Sequence, residues 1–280
     1  MSVILPRRFV PGGYPPVTPA VCDLPLSRFT TLTKTRSFGT GLVYSCMDWS
    51  DDGMHIYFGL LSSTTSTIRN RKSTTTAWDL DALSFVGRFG TGFDNAQGIK
   101  VKPDGTEVWV NVSTGLANGF TRSYSLNTPY EWVDSGIDAP VLIDSFNNAR
   151  TEFDHLEDLN INPEGTKIIS PGNNSGSDPY QLDMTAWDGS TLAYGPDNEI
   201  ADCENAFIPK SGLCMYRANT STIITKYAFG DAWDLTTLSG TVVDTLDLTS
   251  DLTGNIEGIF ITEDRLFVLD GTDKVYQYNA

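Results

Sequence analysis

Gln97-Gly98-Ile99-Lys100-Val101-Lys102-Pro103-Asp104-Gly105-Thr106-Glu107-Val108-Trp109-Val110 decides the fold. Apolar residues alternate as far as Val101, a Pro-Asp-Gly turn follows, and a second apolar strand returns. The same phrase recurs at Ser45 to Phe58, Glu157 to Ser170, Glu204 to Arg217 and Glu257 to Leu269. Its turn glycines, Gly53, Gly105, Gly165 and Gly212, are 52, 60 and 47 residues apart, and Glu263-Asp264-Arg265 replaces the glycine turn in the fifth copy. Periods of about 40 to 50 residues, each holding several strands, mark propeller blades.

A second phrase occupies the other half of each unit. It reads Ala77-Trp78-Asp79-Leu80, Ala186-Trp187-Asp188-Gly189 and Ala232-Trp233-Asp234-Leu235, with a weaker form at Pro129-Tyr130-Glu131-Trp132. The aromatic can cover a blade edge, and the Asp suits a turn between strands. The chain ends at Val275-Tyr276-Gln277-Tyr278-Asn279-Ala280, a third strand with no fourth after it. The missing phrase stands at the other end: Leu26 to Leu32 matches Asp231 to Leu238 with one residue fewer, and Arg36-Ser37-Phe38-Gly39 echoes Arg88-Phe89-Gly90. The N-terminal strand should therefore complete the last blade and remove two exposed sheet edges. The expected fold is all-β: a five-bladed β-propeller over residues 23–280, preceded by an extended Pro/Gly-rich arm over residues 1–22. Six prolines and glycines between Pro6 and Pro16 keep that arm from forming a helix or a central strand.

Composition limits the partners. The chain has 280 residues, 40% of them hydrophobic, and a net charge of −16. Such a surface repels nucleic acid and anionic membranes, and leaves cations, sugars and proteins. No 18-residue apolar run or secretory signal is visible, so membrane insertion is not expected. The four cysteines are Cys22, Cys46, Cys203 and Cys214. They lack zinc-ligand spacing, and Cys46 reads as a small core residue. Cys203 and Cys214 flank one hairpin and could lie near each other, but no disulfide framework is evident.

Aligning the inner strands on Met47, Ile99, Leu159, Ala206 and Ile259 places Ser45, Gln97, Glu157, Glu204 and Glu257 two positions earlier. Val43, Asn95, His155, Asp202 and Asn255 lie two further back. The first strand of a blade lines the central channel, so Gln97, Glu157, Glu204, Glu257, His155 and Asp202 should ring one mouth. Two readings stand. Each acidic side chain could accept backbone N–H bonds from the next blade. Alternatively, the ring could bind a polar ligand or a hard cation, Ca²⁺ or Mg²⁺. Asp48 and Asp158, which are not repeated in every blade, are the candidates should the channel do acid–base chemistry. No phosphate loop or nucleophile elbow is present.

The Pro-Asp-Gly hairpin followed by an aromatic strand and Ala-Trp-Asp resembles propeller repeats of bacteriophage virion and bacterial surface proteins. The opening Ile4-Leu5-Pro6-Arg7-Arg8-Phe9 is similar to the start of short phage structural proteins. The resemblance implies a non-enzymatic virion protein, a head or tail decoration or a host-attachment component, assembled in the host cytoplasm. Ile4, Leu5, Pro6, Arg7, Arg8 and Phe9 would grip another virion protein, and the partner beyond would be a host-surface glycan or protein. The alternative is a carbohydrate-binding or carbohydrate-cleaving propeller with Trp78, Trp187 and Trp233 as its platforms.

Overall fold

The computed structural model describes residues 21–39, 43–61, 67–73, 75–90, 95–113, 119–132, 139–147, 158–171, 179–197, 205–218 and 221–280. The arm residues Ile4 to Phe9, and His155, Glu157, Asp202 and Glu204, lie outside these. Among the described residues no helix is long and apolar enough to cross a membrane.

Five antiparallel four-stranded blades form the ring. Blade 1 is β2 (Val43–Trp49), β3 (His55–Leu61), β4 (Thr67–Ser73) and β5 (Leu83–Gly90). Blade 2 is β6 (Asn95–Val101), β7 (Glu107–Ser113), β8 (Gly119–Ser125) and β9 (Val141–Asn147). Blade 3 is β10 (Asn160–Ile161), β11 (Lys167–Ser170), β12 (Tyr180–Thr185) and β13 (Asp188–Asp197). Blade 4 is β14 (Asn205–Phe207), β15 (Cys214–Ala218), β16 (Ile223–Phe229) and β17 (Leu238–Asp247). Blade 5 joins β18 (Ile256–Ile261), β19 (Arg265–Asp270) and β20 (Lys274–Asn279) to β1 (Thr31–Ser37), which pairs antiparallel with β20 from Thr31–Asn279 to Ser37–Lys274. The N-terminal strand thus closes the ring, as the split repeat requires. A single bridge, Leu61 to Asn95, links blades 1 and 2 into one continuous sheet.

The repeated phrases pack on each other. Gly53, Gly105, Gly165 and Gly212 all have φ between 65° and 73°, the left-handed region where a side chain is costly. The aromatics Trp78, Tyr130, Trp187 and Trp233 are also left-handed, with φ from 57° to 64°. Each donates its backbone N–H to the turn glycine's carbonyl of its own blade, at 2.7, 2.8, 2.7 and 3.0 Å respectively. Its ring lies where a glycine Cβ would stand. Glycine and aromatic are therefore one device, and blade 5 lacks both halves. There Thr262 N bonds Arg265 O at 2.8 Å around a tighter turn, and no described aromatic of this blade is left-handed. In blade 2 the covering ring is Tyr130, while Trp132 is buried in the core. The Asp after the aromatic caps its turn, Asp79 accepting from Asp81 N at 3.1 Å and Asp234 from Thr236 N at 3.0 Å.

One correspondence differs from the sequence alignment. Leu26–Arg28 and Leu235–Thr237 are both short 3-10 turns, and Leu26 and Leu235 are both fully buried. Leu26 therefore answers to Leu235, and Phe29, not Leu32, answers to Leu238. Burial of the turn's first leucine sets the register, whereas Leu32 lies on an exposed strand face. The cysteines differ too. Cys214 pairs with Cys22 across 192 residues, with Cα atoms 5.5 Å apart, and Cys46 is buried and free. Cys203 lies outside the described residues.

Neighbouring blades also join where the second strand begins. Arg265 Nη1 donates to Trp78 O at 2.8 Å and Lys167 Nζ to Trp233 O at 3.0 Å. Replacing Arg265 with Ala strips the contact from the blade 5–blade 1 joint. Chemical denaturation should show a loss of about 1.5 to 3 kcal/mol, as for a hydrogen bond from a charged donor.

Candidate binding site

The two ends of the central axis are built differently. At the start of the inner strands, Gln97 is buried and its Oε1 has no partner among the described residues, while its backbone carbonyl accepts from Asp158 N at 2.9 Å. Glu257 is half-buried beside Gly271. The other ring candidates, Glu157, Glu204, His155 and Asp202, fall outside the described residues. Among the described residues no three His, Cys, Asp or Glu side chains gather as metal ligands, so the cation expectation rests on side chains beyond them.

Among the described residues, inter-blade bonds come from Ser45, at the glutamate position, and from positions just after it. Ser45 Oγ donates to Ala96 O, and Asp48 Oδ2 accepts from Val101 N at 3.2 Å, tying blade 1 to blade 2. Asp158 Oδ2 accepts from Ala206 N at 3.2 Å, and Asn160 Oδ1 from Ile208 N at 2.9 Å, tying blade 3 to blade 4. Asn205 Nδ2 donates to Ile256 O at 2.9 Å, tying blade 4 to blade 5. Asp48 and Asn160 hold one repeat position and make one bond. That position, directly after the aligned core residue, was the signal available in the sequence.

Asp158 is the most constrained of these residues. Its φ is 38°, its carbonyl accepts from Asn111 Nδ2 at 2.7 Å and Ser170 Oγ at 3.0 Å, and its Oδ1 accepts from Leu159 N at 2.7 Å. Burial pushes its carboxyl up to about 7. The N–H bonds from Leu159 and Ala206 act against burial, nearby Asp48 adds to it, and Lys100 opposes it. Burial likewise raises Asp48, which Lys100 Nζ meets at 2.9 Å. A carboxyl poised near neutrality is a common mark of acid–base catalysis. Geometry decides against that role here. Both Asp158 oxygens are bonded to backbone and only 7% of the residue is exposed, so it is a strut between blades.

The opposite end, on the hairpin face, opens into a cavity of about 450 Å³ to which all five blades contribute. Its wall is Val101, Ile161 and Ile261, the last residues of three inner strands, and Ile208, directly after the fourth, with Lys100 and Asn160 beside them. Lys210 of blade 4 and Asp51 of blade 1 pair at 2.8 Å near its rim; both are solvent-exposed enough that the bond contributes little stability. Trp78, Trp187 and Trp233 all border the cavity. Their rings already serve packing. Trp78 lies 5.2 Å from Trp49 and 5.4 Å from Phe260, and Trp233 Nε1 donates to Lys210 O at 3.2 Å.

Fold and axis together define a five-bladed β-propeller with a closed seam and a cavity on its hairpin face. No known protein-family profile matches the chain, and no curated protein is significantly similar to it. Among solved structures it is similar to the Dos1 propeller, at 14% identity and a TM-score of 0.43, over 85% of this chain and 55% of that one. It is also similar to the periplasmic gluconolactonase PpgL of Pseudomonas aeruginosa, at 12% identity and a TM-score of 0.49, over 81% and 64%. A putative 6-phosphogluconolactonase from Bacteroides fragilis matches at 13% identity and a TM-score of 0.48, over 81% and 63%. The chain thus spans between half and two thirds of the length of these structures. Likeness at this level concerns the fold alone.

Proposed function

We propose that this protein is a non-enzymatic component of a phage particle, a rigid ring held on the virion by residues 1–22. The observation that carries the reading is the root of that arm. Lys226 Nζ donates to Cys22 O and, at 3.1 Å, to Leu24 O, while Leu26 N donates to Asp244 Oδ2 at 2.6 Å. With the Cys22–Cys214 bond, these contacts fix the arm's base to blade 4, so tension on the arm is met there before it reaches β1. The charge of −16 fits a displayed surface that avoids nucleic acid. The channel carboxylates Asp48 and Asp158 are committed to inter-blade bonds, which suits a scaffold better than a catalyst.

The experiment is a comparison of particles assembled with the full chain and with a chain beginning at Val21. The shortened protein should keep its thermal melt and be absent from gradient-purified particles. If it still co-purifies with them, the anchoring reading fails.

A second reading, a carbohydrate-binding ring, is favoured by the cavity that all three Trp residues border. Its volume is within the usual range for a small-molecule site. Glycan-array binding that Trp187→Ala abolishes would support it, and a blank array would remove it.

A further inference from the structure

One seam of the ring is unlike the rest. At the first residue of its second strand each blade reaches the next. His55 stacks on Tyr130 at 5.7 Å, and Lys167 and Arg265 hold the carbonyls of Trp233 and Trp78. Glu107 pairs at 2.7 Å with Lys102, whose Nζ lies 5.9 Å from the Trp187 ring centre. The same position in blade 4 is Cys214, and it reaches the segment leading into blade 5 through a covalent bond to Cys22. Among the described residues blade 5 has no left-handed aromatic for a side chain to grip, its outer strand being borrowed from the chain's other end. The disulfide takes the place of that joint.

β1 is mostly exposed. Beyond its pairing with β20, Lys34 meets Asp79 at 2.6 Å and Asp81 at 3.0 Å, and Arg36 donates to Leu80 O and, at 2.7 Å, to Leu83 O, all in blade 1. The segment from Cys22 to Ser37 thus spans blades 4, 5 and 1, and its blade 4 end is the covalent one.

We propose that this seam is a redox latch: oxidation of Cys22 and Cys214 locks the ring, and reduction leaves β1 as a releasable outer strand. Cys22 is half-buried and Cys214 only 1% exposed, so exchange begins at Cys22. In closure, the Cys22 thiolate attacks an incoming small-molecule or protein disulfide and releases one thiol as a mixed disulfide forms. The Cys214 thiolate then attacks Cys22 Sγ and releases the second thiol. Two protein thiols lose two protons and two electrons, and the oxidant gains them as its two thiols. A dithiol reductant reverses both steps. A cytoplasm keeps such thiols reduced. On the particle reading above, the ring would leave the host open-seamed and be latched outside; the latch itself does not depend on that reading.

The test is hydrogen exchange on the full chain, oxidised and after dithiothreitol, together with Cys22→Ser. Amides of β1 and β20 should exchange on the order of 100-fold faster without the bond, while those of β6 to β8 change little, and reoxidation should restore protection. Unchanged β1 protection, or equal acceleration in every blade, would overturn the latch. So would mapping that finds Cys203 paired with Cys22 or Cys214 in the oxidised protein. Cys22→Ser leaves the buried Cys214 in place, so a folding failure of a Cys214 variant does not blunt the result.

Discussion

Gly98→Ala should destabilise the ring by about 3 kcal/mol, near the upper end for overpacking a close contact. In thermal unfolding this corresponds to a fall in Tm of roughly 6 to 12 °C for a chain of this size. A Cβ on Gly98 would lie 2.6 Å from Asp158 O and 2.8 Å from Leu159 N, closer still to Asp158 C, and all of these are backbone atoms of the next blade. A flexible side chain could move aside; a backbone cannot without separating blades 2 and 3. It is held there by Asp158 N on Gln97 O and by Asn111 on Asp158 O. Gly240→Ala is the control, because nothing stands within 4 Å of its Cβ position. A Gly98→Ala protein as stable as the Gly240→Ala protein would refute this packing of blades 2 and 3.

Stability should also fall as pH rises from about 4 to about 7. Burial raises the Asp158 carboxyl from an ordinary value of about 3.9 to about 7 in the folded state. Between those values the folded chain binds a proton that the unfolded chain has released, so ΔG of unfolding drops with rising pH. The contribution is complete below about pH 4 and gone above about pH 7; three pH units correspond to at most about 4 kcal/mol. Asp48, raised by burial too, works in the same direction. Asp79 and Asp234 work oppositely. Hydrogen bonds from Lys34 and from Thr236 hold them below the usual range, so their support is lost in acid. Urea-unfolding midpoints should therefore peak near pH 4 to 5 and decline toward neutrality. Asp158→Asn should flatten most of the decline, whatever it does to the baseline. An unaltered slope in Asp158→Asn would show that the carboxyl is ionised throughout; a rise from pH 5 to 8 would instead mark His55, which burial holds below its usual range, as the dominant group.

Much of this architecture was legible along the chain. Gly53, Gly105, Gly165 and Gly212 mark the hairpins because only a residue without a Cβ enters that turn cheaply, and the split repeat at the termini implied closure by β1. The Asp of Ala-Trp-Asp caps a turn through its own neighbours, so it too could be read locally. The alignment went astray where local similarity competed with burial: Thr-Thr-Leu suggested Leu32 for Leu238, whereas the buried 3-10 turn selects Phe29. The inter-blade bonds were legible only in part. Repetition drew attention to the glutamate position, where Ser45 makes such a bond in blade 1 and Glu157 and Glu204 lie outside the described residues; further bonds come from Asp48, Asp158, Asn160 and Asn205, which differ in chemistry from blade to blade.

By itself the sequence determined the strand alternation, the turns, the number of blades and the place of closure. These follow from contacts within one repeat, whose spacing is fixed by the pleat and by the hairpin. Only the tertiary structure decided which residues meet between repeats. It set Gly98 against Asp158, raised that carboxyl by burying it, and brought Cys22 to Cys214 rather than leaving Cys203 as its partner. It also gathered the ends of the inner strands into a cavity. Such meetings join residues about 50 to 190 positions apart. They depend on the angle at which one blade packs on the next, and no local pattern encodes that angle.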